Sequence, residues 1–222
     1  MILNSLKKWV GPSGLFLLVL VMTACGEVAS CPGGGDTGSC LRIDSITPTY
    51  NKKDSSNVDV VQGPCDVTGT STATSTATST PKLEEFFDHR VKIVFSNMPV
   101  PGKVVRPEDI TDIILGGYSI EYKLNHCPGG AGTCPALTKF EAVDPNTFKV
   151  PANGTLTTDG YFQLLSLAKK DEYFRAKIGL FGDYPSYTAV YTFNGRDAFG
   201  NLVSAQGATE FTIGNYDTCK ST

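Results

Sequence analysis

Histidine is scarce in this chain: His89 and His126 are the only two in 222 residues. A serine or cysteine hydrolase needs a base beside its nucleophile, so any such pairing must use one of these two. Structural zinc sites combine histidine with cysteine pairs two to four residues apart. No C-x-x-C is present, and no C-x-x-C-H for covalent haem. His126 and Cys127 are neighbours, but an exposed turn beside a disulfide accounts for both. No excess of positive charge exists either, with 19 Lys and Arg against 22 Asp and Glu. That leaves no electrostatic footprint for nucleic acid. Long apolar runs are also missing. The longest is Leu15 to Met22, well short of the roughly 20 residues that cross a bilayer.

What is there begins with that short run. Lys7 and Lys8 precede it and Thr23-Ala24 follow it. A basic start, a brief apolar core and small residues before a cut describe an export signal over residues 1–24. Met22-Thr23-Ala24-Cys25 resembles the bacterial lipobox. The resemblance implies that Cys25 becomes the first residue and carries lipid on its sulfur and amine. Two or more acyl chains hold a protein stably at a membrane, whereas one does not. Gly26, rather than aspartate, follows Cys25. By resemblance to enterobacterial sorting, that implies an outer-membrane destination.

Seven cysteines are present: Cys25, Cys31, Cys40, Cys65, Cys127, Cys134 and Cys219. Assigning Cys25 to lipid leaves an even six, as an oxidising compartment favours. Six cysteines permit fifteen pairings. Cys127 and Cys134 enclose Pro-Gly-Gly-Ala-Gly-Thr, and Cys31 and Cys40 enclose Pro-Gly-Gly-Gly-Asp-Thr-Gly-Ser. Glycine and proline let such loops turn back without strain, so these two pairs are expected. Cys65 with Cys219 follows by elimination.

Without residues 1–24 the chain keeps 17 basic and 22 acidic residues, a net charge of −5. Residues 25–40 read as a lipidated, flexible tether and 41–222 as one domain. Thr70 to Thr80 repeats a Thr/Ser/Ala unit, which offers nothing to bury and is expected to be a flexible loop over 68–81.

The domain reads as β throughout. Apolar residues alternate with polar ones at Val91, Ile93, Phe95, at Tyr118, Ile120, Tyr122, Leu124, at Ala176, Ile178, Leu180, and at Ala189, Tyr191, Phe193. Phe211 and Ile213 mark a last strand. Ile43 to Thr47, Val58 to Val61 and Phe148 to Val150 supply short ones, and Gly116-Gly117 marks a bulge. Residues 161–173 fit a short helix or a strand ending in a charged turn. Seven to nine such strands predict a single antiparallel β-sandwich.

Tyr191-Thr-Phe-Asn-Gly-Arg-Asp197-Ala-Phe-Gly200-Asn201, followed by Phe211-Thr-Ile213, resembles the last hairpin of bacterial immunoglobulin-like repeats. The resemblance implies an immunoglobulin-like sandwich. Independently, Asp197 suits the turn backbone and Gly200-Asn201 tolerate positive φ.

Other residues carry candidate chemistry that simpler readings explain. Gly33 to Gly38 matches G-x-G-x-x-G by letter but lacks the strand and helix a dinucleotide site requires. Glu84-Glu85, Asp171-Glu172, Asp109 and Asp112 read as solvated charge rather than paired catalytic carboxylates. Asp183, Asp197 and Asn201 match no cation loop, so no metal or cofactor is expected. Asn153-Gly154-Thr155 reads as a turn. Tyr173, Phe174, Phe181, Tyr184 and Tyr187 read as core, with a partner surface as the alternative. The expectation is a lipid-anchored, exported bacterial envelope protein, a non-catalytic structural or binding module for another envelope protein or a glycan. A lipid-anchored hydrolase and a carrier of a hydrophobic ligand are the alternatives.

Overall fold

The computed structural model describes residues 31, 38–65, 83–130, 134–176, 184–216 and 219, with no side-chain description at 144–147. The signal segment, Cys25, the Thr/Ser repeat and residues 177–183 lie outside them.

Among the described residues, nine strands and one α-helix follow in order, with a single 3-10 turn at Pro107–Asp109. They are β1 (Ser39–Tyr50), β2 (Lys53–Asp54), β3 (Asn57–Asp59), β4 (His89–Pro99), β5 (Ile113–His126), β6 (Phe140–Val150), β7 (Thr155–Leu165), α1 (Leu167–Ala176), β8 (Ser186–Asp197) and β9 (Leu202–Gly214). One sheet has the order β2-β1-β4-β7 and the other β3-β9-β8-β5-β6. This is the strand order of an immunoglobulin-type sandwich, with the A, B and E positions facing G, F, C and C′. The expected antiparallel β-sandwich is observed, with one short pair at its edge departing from it. β3 runs parallel to β9, pairing Asn57 with Thr212 and Asp59 with Gly214.

Alternation builds the core. Val91, Ile93 and Phe95 on β4 face Tyr187, Ala189, Tyr191 and Phe193 on β8, and all are buried. Each large side chain so buried contributes roughly 1.5–3 kcal/mol. Phe95 and Phe162 meet Phe193 edge-on at 4.9 and 4.8 Å between centroids. Tyrosines then cross between the sheets. Tyr191 donates to the Gln163 carbonyl at 2.8 Å and Tyr122 to the Leu164 carbonyl at 2.6 Å. β1 lies close over β9 because position 207 has no side chain. A Cβ there would sit 3.0 Å from Ile46 and 3.1 Å from Ile43.

Several local expectations shift. β1 starts at Ser39, two residues before the expected domain boundary, with Cys40 buried. Residues 161–173 divide between two elements: β7 ends at Leu165 and α1 starts at Leu167. Arg175 and Ala176, expected to open a strand, instead close α1. Ser166 caps that helix, its hydroxyl accepting from Lys169 N–H, and the Asp88 carboxylate accepts from Leu167 N–H. The expected bulge at Gly116-Gly117 is a register shift of β5 against both neighbours.

All six described cysteines are bonded: Cys31 to Cys40, Cys65 to Cys219 and Cys127 to Cys134.

Candidate functional site

The β8–β9 turn is built as its residues dictate. Asp197 Oδ1 accepts from the N–H groups of Phe199 and Asn201 at 3.0 and 2.8 Å, and Oδ2 accepts from the Asn201 amide at 3.1 Å. Gly200 sits at φ +83°, which an L side chain resists. The carboxylate is thus committed to the turn. Asp183, the other acidic member of the cation alternative, lies outside the described residues. No group of three or more metal-ligating side chains occurs among the described residues.

A second polar cluster, which sequence reasoning missed, closes the end of the sandwich where α1 lies. Lys170 on α1 is fully buried and donates to the Phe87 carbonyl at 2.7 Å. Its ammonium lies 4.4 Å from the Phe86 ring and 5.3 Å from that of Tyr50, within cation–π range. Tyr50 stacks on His89 at 4.5 Å. His89 is also fully buried, and its Nε2 lies 2.8 Å from the Asn57 carbonyl. A carbonyl only accepts, so Nε2 carries the proton. Asp59 Oδ1 accepts from Val61 and Tyr216 N–H, tying β3 to the chain beyond β9. Glu84, expected at the surface, is buried, and Oε1 accepts from Gly63 N–H at 2.5 Å.

Burial sets the ionisation of this cluster. It pushes His89 down to about 3, helped by the nearby Lys170 charge. It lifts Asp59 to about 6 against the pull of its two backbone donors. It lowers Lys170 to about 8, opposed by Asp59, Asp88 and Glu84. His89, Lys170, Asp59 and Glu84 are all buried, and their hydrogen bonds tie β3, β4, α1 and the chain beyond β9 together. The signal for it was faint: one lysine on the inward face of a ten-residue helix.

The remaining sequence candidates are dispersed. His126 is exposed at the end of β5, paired with Ser186 and next to the Cys127–Cys134 bond. Asp112 pairs with Lys149 and Asp109 with Arg106, while Asp171 and Glu172 are exposed. Asn153 is exposed in the β6–β7 turn at φ +51°. Of the aromatic set, Tyr173 and Tyr187 are core, Phe174 and Tyr184 are surface, and Phe181 lies outside the described residues. Of the glycine-rich match, Gly38 alone is described.

A broad groove of about 920 Å³ runs along the outer face of the five-stranded sheet. Gly116 and Gly117 floor it, Ile114 and Leu202 flank it, and Lys139 and Arg196 line it. A smaller cleft of about 420 Å³ opens beside α1, between Asn51, Phe87, Arg90 and Asp159. Both are open, shallow and mixed in polarity, geometry that fits a macromolecular surface better than an enclosed small ligand. No described helix is long and apolar enough to cross a membrane. No family model matches this chain, and no curated protein or solved structure matches it either.

Proposed function

We propose that the chain is an exported lipoprotein of a bacterial envelope, anchored by Cys25 and acting through binding or structural contacts rather than catalysis. The observation that carries the first half is the pairing of six cysteines among themselves. Three bonds point to an oxidising compartment, and they leave Cys25 with no cysteine partner in this chain. That cysteine follows the apolar run and Thr23-Ala24. Gly26 favours the outer membrane.

The second half rests on the filled core and on where the histidines lie. One is buried and neutral, the other sits at an exposed strand end. Neither lines either of the two open grooves found among the described residues. Interlocked aromatic rings occupy the space that a carrier of hydrophobic ligands would leave open. The partner of this reading is another envelope protein or a glycan, met on the open surfaces described above.

Metabolic labelling with an alkynyl fatty acid tests the anchor. The full chain takes up label and sediments with membranes, and C25A loses both. Label retained by C25A would overturn the anchor. Turnover of ester or glycoside substrates by the purified chain, abolished by H126A, would overturn the non-catalytic assignment.

A further inference from the structure

The two poles of the sandwich are not equivalent. Thr111 gathers one of them. Its N–H donates to Ser39 Oγ at 2.9 Å, its carbonyl accepts from Asn97 Nδ2 at 2.7 Å, and its hydroxyl accepts from Ala198 N–H at 3.1 Å. The start of β1, the end of β4 and the β8–β9 turn therefore lie together. Cys31, bonded to Cys40 with 5.5 Å between Cα atoms, enters at this pole. β1 then runs the length of the sheet to Tyr50. The helix α1 and the Cys65–Cys219 and Cys127–Cys134 bonds follow strand ends at the opposite pole.

Because Cys31 is clamped to β1, the free reach from Cys25 is six residues and not sixteen. Six residues span at most about 20 Å. A lipid on Cys25 would therefore hold this pole against the bilayer, not at the end of a long stalk.

The same pole exposes large apolar side chains. Phe199 is 65% exposed, Leu202 63%, and Val104 has no protein cover at all. Phe199 stands at the tip of the β8–β9 turn, whose bonds come from Asp197 and the backbone. The turn does not require an aromatic there, and the bond to its N–H holds the residue in place. Of the basic groups nearby, Arg106 pairs with Asp109 and Arg196 donates to the Gly200 carbonyl, while exposed Lys103 adjoins Val104, where it can meet lipid headgroups beside the apolar contact.

We propose that Phe199, Leu202 and Val104 dock this pole on a lipid bilayer, seating in its interfacial layer and presenting the α1 pole outward. Aromatic and aliphatic side chains on a rigid loop partition into that layer. The proposal rests on reading Cys25 as the anchor, but its test does not require acylation in the cell.

The only tryptophan of the chain is Trp9, so a protein beginning at Cys25 has none. Every described element lies between Cys31 and Cys219, so that protein keeps the whole fold. Its Cys25 thiol is coupled to a maleimide-headgroup lipid in phosphatidylcholine vesicles, with or without brominated acyl chains. In F199W the emission shifts to the blue and is quenched by the brominated chains. In F87W, at the opposite pole, it does neither. Adding V104E and L202E to F199W abolishes the quenching. Unshifted, unquenched F199W, or equal quenching of both probes, would overturn the proposal. Mass spectrometry of the membrane-extracted chain reports separately on acylation at Cys25.

Discussion

The Tyr191 hydroxyl donates across the core to the Gln163 carbonyl at 2.8 Å, joining the middle of β8 to the far edge strand β7. β7 changes register against β4 on either side of Gln163, and the Tyr191 hydroxyl gives this carbonyl a donor from the opposite sheet. Burial holds the Tyr191 phenol well above its ordinary pKa, so it remains a donor at any working pH. Tyr191→Phe keeps the ring and removes that donor from the buried carbonyl. It is expected to cost about 1–3 kcal/mol, a drop of roughly 2–4 °C in Tm per kcal/mol for a domain this size. Thermal unfolding followed by circular dichroism reads it.

The buried cluster predicts an unusual pH response. Unfolded histidine takes a proton near pH 6.5, whereas His89 in the fold refuses one until about pH 3. Its contribution to stability therefore falls as pH drops through that window, by about 1.4 kcal/mol per unit. Asp59 acts oppositely: the folded carboxyl protonates near pH 6 and the unfolded one near 3.8, so acid favours the fold. Between about pH 6 and 4 the two nearly cancel, and stability is flat. His89→Gln removes one side, and its stability rises as pH falls from 6 to 4. Asp59→Asn removes the other, and its stability falls. Urea unfolding at pH 4, 5 and 6 separates the three proteins, and parallel profiles would contradict the assignment.

Loop length ranks the disulfides. Cys65 and Cys219 are 154 residues apart, and Cys127 and Cys134 only 7. Chain entropy assigns about 5 kcal/mol to the long closure and about 2 kcal/mol to the short one. C65S/C219S is thus expected to be the less stable double variant by about 3 kcal/mol. Denaturant unfolding of both under oxidising conditions measures the difference.

Asp197 serves three donors of its own turn. Removing them with D197A costs about 2–3 kcal/mol, the range for bonds to a charged group. Added calcium leaves the Tm of the parent protein unchanged, because the carboxylate is already saturated by N–H groups. A calcium-dependent rise in Tm, lost in D197A, would restore the cation alternative.

Much of this architecture was legible in the residues because strands report locally. Period-two alternation at Val91-Ile93-Phe95 and Ala189-Tyr191-Phe193 marks which side chains face inward, and a D-x-x-G-N turn contains its own hydrogen-bonding instructions. Residues 161–173 were ambiguous because a strand ending and a helix beginning share one apolar stretch. Only the Ser166 cap and Asp88, 79 residues from its partner Leu167, resolve it.

The order of amino acids alone determined the β class, the inward faces of β4 and β8, the turn at Asp197 and the even count of cysteines beyond Cys25, since each depends on near neighbours or on arithmetic. Tertiary structure alone decided that Lys170 and Glu84 are buried, that β3 runs parallel to β9, and that Phe199 shares a pole with Cys31. Those outcomes turn on contacts between segments tens to more than a hundred residues apart. A charged side chain's own neighbours in the chain do not say whether water or protein will surround it.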